Sequence, residues 1–369
     1  MVVGESVFSP ILRRFALWPC LAVVLGTFAV RAQDADLPAY TILNCGKSCG
    51  IRTDPKPIGE RHGEFPAGWG ENMPGTESYV VIRLTSAADG SVQDPVVERL
   101  IGPSKFADTA LEFVKTWRYQ PATVNGKAVA RLNWMVQVQY LFNPPVLGAR
   151  QKVYDAYRAA QELIDANKFD EANAVLLPIL SLEDLNFYER CMVSLLLARS
   201  YLASQDYLTA REYIINATLD DGLFLSKPGL VSAVRLRIRL DALTGQYADA
   251  FEWFDKLKKH ATLDADDSDA KLVGILHARL DDPRPIAVSG VIPVTEYLPI
   301  WTHTLLRRHF AFSALTGKLD RFELLCDQQK IASPITTAAE WHVPQDWSNC
   351  SLDVFGEAGA KFRVVESNE

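Results

Sequence analysis

The cysteines of this sequence could form disulfides or bind a metal ion, and their spacing favours disulfides. Neither a CxxC pair nor a histidine at ligand spacing accompanies them. Cys326 and Cys350 lie in one C-terminal segment, and we predict a disulfide between them that encloses 23 residues. Cys45 and Cys49 could close a small loop. Cys191 stands in an apolar helical pattern, which predicts a buried thiol.

The remaining polar residues do not form a recognisable catalytic motif. His303 and His309 lie beside Arg307 and Arg308, but the sequence has no GxSxG, HExxH, P-loop or GxGxxG motif. We therefore interpret the two histidines as core or surface residues, and predict a non-enzymatic protein without cofactor or metal. Four aspartates form an acidic joint after the helical pattern: Asp264, Asp266, Asp267 and Asp269. This segment lacks the glycine and the terminal glutamate of a calcium-binding loop, so we predict that it begins a helix.

The N-terminus has the pattern of a secretory signal peptide. Arg13 and Arg14 precede an apolar run over residues 15–30, and Val30 and Ala32 stand three residues and one residue before a cleavage point. We predict that residues 1–32 are removed on export. The alternative is an uncleaved membrane anchor, although the run is shorter than the roughly twenty residues of a spanning helix. Export would permit the disulfides.

Composition excludes some broad classes of protein. The chain has 369 residues, of which 48% are hydrophobic and 22% charged, values typical of globular proteins and not of disordered ones. Its length allows two or three domains. A net charge of -7 argues against a dedicated nucleic-acid-binding protein, which would carry a basic surplus.

Residues 76–143 have the most legible pattern, and an irregular, proline-containing leader over residues 33–75 precedes them. Strand formers over residues 79–85 are followed by the turn signal Asp89-Gly90 and a second strand over 92–100. A helical stripe over residues 104–117 comes next. The last strand, over residues 131–142, alternates apolar with mostly polar side chains. The predicted order is strand, strand, helix, strand.

This block resembles the C-terminal domain of TonB, the periplasmic energy-transducing protein. The resemblance rests on Phe-Pro at residues 65–66, Asp-Gly-Ser-Val at 89–92, Trp-Arg-Tyr-Gln-Pro-Ala at 117–122 and Asn-Gly-Lys-Ala-Val at 125–129. It covers residues 62–143, under a quarter of the chain. The long Pro- and Lys-rich segment of TonB proper is missing here, which speaks against a force-transmitting role.

The resemblance implies a compact α+β domain whose last strand lies at a sheet edge and pairs with an extended segment of an outer-membrane receptor. The polar second face of this strand suits a strand that is not buried on both sides. The partner-binding residues would then be Arg131, Asn133, Met135, Gln137, Gln139 and Leu141. The alternative is that this strand merely completes the sheet.

Residues 149–285 have helical periodicity with an internal repeat. Phe169, Tyr207 and Tyr247 each follow a polar turn, precede an alanine by three positions, and recur at intervals of 38 and 40 residues. This resembles tetratricopeptide-like helical hairpins. Such a stack could bind a peptide on its inner face, or serve as a spacer.

Residues 286–369 have strand-like patterns again and predict a small β-rich domain held by the Cys326–Cys350 disulfide. Two hairpins are expected, one turning at Gly317 and the other at residues 356–359. The predicted fold class is therefore α+β and multidomain, with a TonB-like ββαβ domain, helical-hairpin repeats and this β-rich domain in that order.

Three functions follow from these patterns. The first is a non-enzymatic periplasmic TonB-like adaptor, linked to outer-membrane transport, whose partner is a protein or extended peptide. The second is an envelope scaffold in which the TonB-like domain self-associates or packs internally. The third is an enzyme with an unrecognised site in the last domain. No nucleic-acid partner is expected, and membrane attachment only if the N-terminal segment stays uncleaved.

Overall fold

The computed structural model describes residues 27–34, 43, 52–59, 64–67, 76–143, 147–264, 266–294 and 299–368. Helices and strands alternate in blocks along this chain, consistent with the predicted α+β class. Residues 1–26 of the predicted signal peptide and both Cys45 and Cys49 lie outside the described residues.

The first block is built on one antiparallel sheet and one helix. Its elements are β1 (Thr27–Asp34), β2 (Arg52–Thr53), β3 (Lys56–Ile58), β4 (Ser78–Ser86), β5 (Val92–Ile101), α1 (Ser104–Lys115), β6 (Arg118–Gln120), β7 (Ala122–Val124), β8 (Lys127–Val129) and β9 (Arg131–Asn143). The main sheet has the order β1-β9-β4-β5. One face packs on α1, because alternate residues such as Val80, Ile82 and Val136 are apolar and meet Phe106 and Val114 of the helix.

Two turns in this block are set by glycine. The Asn125-Gly126 turn joins β7 to β8, as predicted, with positive φ at both residues. Gly90, between β4 and β5, also has positive φ, and a Cβ there would lie 2.0 Å from the Tyr119 carbonyl oxygen. The Tyr119 amide donates to the Gly90 carbonyl at 2.8 Å. Only glycine fits this approach, which ties the turn to β6.

The second block is helical. Its elements are α2 (Gln151–Asp165), α3 (Phe169–Leu180), α4 (Phe187–Ala203), α5 (Tyr207–Ala217), a 3₁₀ turn (Leu219–Gly222), α6 (Lys227–Thr244), α7 (Tyr247–His260) and α8 (Ser268–Asp281). Phe169, Tyr207 and Tyr247 are the first residues of α3, α5 and α7. The alanines three positions later are buried: Ala172, Ala210 and Ala250. The tetratricopeptide assignment stays a prediction.

The acidic joint begins a helix, as its composition predicts. Asp267 is the N-cap of α8 and accepts hydrogen bonds from the amides of Asp269 and Ala270. The Asp269 carboxylate in turn pairs with Arg235 and Arg239 of α6. These contacts hold α8 against α6.

The third block is a β-sandwich. Its strands are β10 (Ile286–Val291), β11 (Ile300–Thr304), β12 (His309–Thr316), β13 (Leu319–Leu325), β14 (Lys330–Pro334), β15 (Glu340–His342), β16 (Ser351–Gly356) and β17 (Lys361–Ser367). They form two antiparallel sheets with the orders β10-β17-β12-β15 and β11-β16-β13-β14. Phe310 and Phe312 of one sheet contact Phe322 of the other in the core.

Both predicted hairpins are wrong in their pairing. β12 and β13 follow one another through Gly317, and β16 and β17 through Gly359, but in each case the two strands belong to different sheets. The turn residues were recognised correctly. Two strands joined by a short turn have the same alternation of apolar and polar residues whether they pair in one sheet or lie in two packed sheets. The sequence pattern therefore does not distinguish a hairpin from a connection between sheets.

The predicted disulfide is present between Cys326 and Cys350. It links the end of β13 to the start of β16, whose residues Leu325 and Ser351 are directly paired. Cys191 is a free thiol buried in α4, and its burial raises the pKa of the thiol to about 12. This confirms the prediction of a buried thiol.

We expect the double variant Cys326→Ala/Cys350→Ala to lose about 3 kcal/mol of unfolding free energy, because the link restricts the unfolded chain. Urea unfolding without reductant measures the loss. Addition of reductant should lower the stability of the unmodified protein by more than it lowers the stability of the double variant. Equal stability of both proteins without reductant would contradict this expectation.

Candidate partner-binding strand and its surroundings

Strand β9, which holds the predicted partner-binding residues, has a neighbour on each side. On one side it pairs with β4. On the other it pairs antiparallel with β1, in a register that sets Thr27 opposite Asn143 and Asp34 opposite Val136. Residues 27–32 belong to the predicted signal peptide. The strand that covers this edge of β9 is therefore made largely of the segment that export is predicted to remove.

A bulge shapes the first half of β9. Leu84 pairs with Trp134 while Ser86 pairs with Arg131, so β9 holds one extra residue here. Asn133 has a φ of 56° at this point. Its side-chain amide donates to the Ser351 hydroxyl at 2.8 Å, and this contact joins β9 to the sandwich.

Arg131, like Asn133, contacts the sandwich. Its guanidinium pairs with the Asp327 carboxylate, and both side chains are buried. Asp327 also accepts from Arg52 at 2.6 Å and from the Ser348 hydroxyl at 2.9 Å. Its backbone carbonyl accepts from the Leu132 amide at 2.9 Å. Asp327 thus ties β2, β9 and the loop before β16 together.

The other predicted residues of β9 lie on the sheet face opposite α1, which we call the second face. Gln139 is 1% exposed, and Leu141 packs with Phe187 and Phe224 of the helical block. Gln137 and Met135 are half-buried. The expectation that this face is open to solvent is wrong, because helices and the sandwich cover it.

A cluster of ion pairs, which we call the Arg83 cluster, joins the second face of the sheet to the outer face of the sandwich. Arg83 of β4 pairs with Glu98 of β5 and, at 2.5 Å, with Asp353 of β16. The Thr302 hydroxyl lies 3.1 Å from Asp353 and 3.5 Å from Glu98. The Asp353 side chain is fully buried. This burial and the neighbouring Glu98 charge raise the pKa of Asp353 to about 7, against the attraction of Arg83.

Four residues of these contacts were not expected from the sequence: Arg83, Glu98, Asp327 and Asp353. A signal was available for two of them: Arg83 and Asp353 are single charges inside otherwise apolar strand runs. A charge at such a position needs a partner when it is buried. The sequence does not show which distant residue supplies that partner.

His303 and His309 occupy the positions that the sequence favoured for them, one in the core and one at the surface. His303 is buried, with Nδ1 2.7 Å from Gln246 Oε1 and Nε2 2.7 Å from Glu366 Oε1. Glu366 also accepts the amide of Arg307. His309 faces His342 across β12 and β15, at 3.0 Å between ring nitrogens.

Metal-binding groups of three or more side chains and membrane-spanning helices are both absent from the described residues. No group of three or more His, Cys, Asp or Glu side chains in these ranges could hold a metal ion. In the same part of the chain, no helix has both the length and the apolar character needed to cross a membrane.

In this strand–strand–helix–strand arrangement β9 lies between β1 and β4, and not at the sheet edge that the resemblance implies. One sequence comparison bears on the same residues. Residues 72–142 match the family described as the Gram-negative bacterial TonB protein C-terminal. The chain contains a TonB C-terminal domain. A search of curated proteins found no match to the sequence.

The TonB match carries a coarse functional meaning. The match concerns residues 72–142, and a domain of this family suggests a TonB-like envelope protein with a transport-related interaction. TonB C-terminal domains interact with proteins such as outer-membrane receptors, and the family is in general non-enzymatic.

Proposed function

We propose that this protein is a non-enzymatic periplasmic adaptor, linked to outer-membrane transport, that binds an extended segment of a partner protein by strand addition to β9. The supporting observation is the pairing of residues 27–34 along residues 136–143. Eight consecutive pairs follow one register without a bulge, so this edge has the backbone geometry that an added strand requires.

Export would change the occupancy of this edge. Cleavage after Ala32 would leave Gln33 and Asp34 opposite Gln137 and Val136. Residues 138–143 would then lack the β1 strand along their outer side. An extended partner segment would restore the missing backbone hydrogen bonds. Since the second face of β9 is covered, such a partner would gain most of its affinity from the backbone and little from the predicted side chains of that face.

A second function, an envelope scaffold with the TonB domain packed internally, is favoured by the contacts of the second face. Arg131, Asn133 and Arg83 all bond to residues of the sandwich. A domain fixed in this way would serve as a rigid part of a larger binding protein. Binding at the outer edge of β9 distinguishes the two functions.

The test uses the mature protein that begins at Gln33 and a labelled synthetic peptide with the sequence of residues 27–34. We expect saturable binding by fluorescence anisotropy. Two peptides N-methylated at alternate amides serve as matched controls, because alternate N–H groups of a strand point in opposite directions. One series should weaken binding about 10- to 100-fold, since each lost hydrogen bond costs roughly 1 kcal/mol; the other should bind nearly as well as the parent.

Equal binding of both methylated series would show that the peptide does not add as a strand. Absence of binding at about 1 mM, where the standard free energy is near -4 kcal/mol, would mean that the edge is closed in the mature protein. The scaffold function would then take precedence.

A further inference from the structure

Two histidines form a close pair on the sandwich sheet of order β10-β17-β12-β15. His309 lies on β12 and His342 on β15, the strand at the edge of this sheet. The nearest ring nitrogens, Nε2 of His309 and Nδ1 of His342, are 3.0 Å apart. His342 is exposed and His309 is half-buried, so solvent and dissolved ions reach the pair.

The strand pairing brings the two side chains together. They are directly opposite in the register, and beside them the Val343 amide donates to the Arg308 carbonyl at 2.7 Å. In an antiparallel ladder this bond makes His309 and His342 a non-hydrogen-bonded pair, the kind whose side chains come closest. Since the next residue, Phe310, is buried in the sandwich core, His309 lies on the opposite, solvent-facing side of the sheet.

The distance between the two nitrogens suits a shared metal ion. Bonds from a metal to imidazole nitrogen are about 2.0–2.1 Å long, so nitrogens 3.0 Å apart subtend an angle of about 90–100° at the ion. This is the angle between adjacent ligands in square-planar and octahedral complexes, and it is smaller than the roughly 109° of a tetrahedral zinc site. Tetragonal coordination by nitrogen and oxygen is typical of Cu²⁺, which such ligands also bind most tightly among the divalent first-row metals.

The surroundings of the pair suit a hydrated cation. Ser367, a small residue, is opposite His309 on the other side of β12. Glu340 stands two residues before His342 on β15, so it shares the same face of the sheet and adds negative charge there. Within the described ranges, no group of three or more His, Cys, Asp or Glu side chains forms a metal-binding cluster. Water would therefore occupy the remaining coordination positions of an ion held by the two rings.

We propose that His309 and His342 form a binding site for one Cu²⁺ ion, held by Nε2 of His309 and Nδ1 of His342 and otherwise coordinated by water. Both nitrogens must be unprotonated to bind the ion. The proton of the hydrogen bond between the rings moves through water to the outer nitrogen of the ring that carries it, so a neutral pair binds Cu²⁺ without net proton release. The site goes beyond the proposed function, because it lies on the sandwich and does not involve β9.

The test titrates Cu²⁺ into the protein that begins at Gln33, prepared without a histidine tag. We expect one ion to bind with a dissociation constant below about 100 μM, because the second imidazole binds intramolecularly. The electron paramagnetic resonance spectrum of the bound ion should show coupling to two imidazole nitrogens. Substoichiometric Cu²⁺ should broaden the NMR signals of the His309 and His342 rings before those of His260, the last residue of α7.

Two single variants complete the test. His309→Gln and His342→Gln each remove one ligand and should weaken Cu²⁺ binding at least about tenfold, because the remaining imidazole binds alone. His260→Gln is the matched control and should bind Cu²⁺ as the parent does. The variants lie on different strands, circular dichroism verifies the fold of each, and the NMR measurement needs no variant. Binding of the residue 27–34 peptide at β9 should be unchanged in all three variants, which separates a failure here from a failure of the proposed function.

Three results would overturn the proposal. The first is the absence of binding at about 100 μM free Cu²⁺. The second is equal Cu²⁺ affinity of the parent, His309→Gln and His342→Gln, since the ion would then be held elsewhere on the chain and the two rings would form a hydrogen-bonded pair only. The third is broadening that affects His260 as early as His309 and His342.

Discussion

Replacement of Arg83 by methionine is expected to lower the free energy of unfolding by about 3–5 kcal/mol at pH 8, the usual effect of removing one partner of a buried ion pair. Methionine keeps much of the side-chain volume but leaves the buried carboxylates of Asp353 and Glu98 without their guanidinium. The loss should be smaller at pH 5, where Asp353, with its pKa raised to about 7, is already protonated. Urea unfolding at the two pH values measures both effects.

Two comparisons make the Arg83 experiment specific. Arg284→Met removes an exposed arginine whose pair with Asp282 lies at the surface, and should change stability by less than about 1 kcal/mol. The double variant Arg83→Met/Asp353→Asn should recover part of the loss, because no charged Asp353 is then stranded. An additive double variant, or equal losses from Arg83→Met and Arg284→Met, would show that the cluster does not couple the sheet to the sandwich.

Much of the TonB domain follows from local sequence. Asp89-Gly90 and Asn125-Gly126 specify their turns, and the period-two pattern of β9 correctly assigns Trp134, Val136 and Val138 to the face that packs on α1. Such a pattern shows which side chains share a face. It does not show whether another part of the chain covers that face, which is why buried Gln139 was expected at the surface.

The edge of β9 illustrates a second limit. Residues 27–32 fit the end of a signal peptide with its cleavage point, and they also fit as part of a strand along residues 136–143. Both interpretations draw on the same side chains, because strand pairing depends on the backbone and leaves little trace in residue type. Only the three-dimensional arrangement brings this segment to the strand that the family resemblance had singled out.

The contacts between blocks could not be predicted from local sequence patterns either. Arg131 and Asp327 are 196 residues apart in sequence, and Arg83 and Asp353 are further apart still. Arg83, Arg131 and Asp353 lie in strands whose patterns explain their own local structure, and Asp327 lies in the turn between β13 and β14. The pairing depends on how two sheets meet, and that is decided by the sum of many apolar contacts in the two cores.

The buried carboxyl of Asp353 gives the protein a specific pH dependence. Its folded-state pKa, about 7, is above the value near 4 of an unfolded aspartate. Between these values the folded state binds more protons than the unfolded state, so this group makes stability fall as pH rises from about 4 to 7, with no further change above that range. A shift of about three pH units corresponds to roughly 4 kcal/mol.

Asp353→Asn should remove this dependence, because the amide keeps the size of the side chain and a hydrogen bond to Thr302 but cannot ionise. Relative to the parent, the variant should therefore gain several kcal/mol of unfolding free energy between pH 4 and pH 8, of the order set by the pKa shift. Asp320→Asn, at a half-exposed pair with Lys318, is the control and should follow the parent at every pH. Parallel stability profiles for Asp353→Asn and the parent would mean that Asp353 titrates normally, and that the junction between the TonB domain and the sandwich carries no buried proton-binding group at this position.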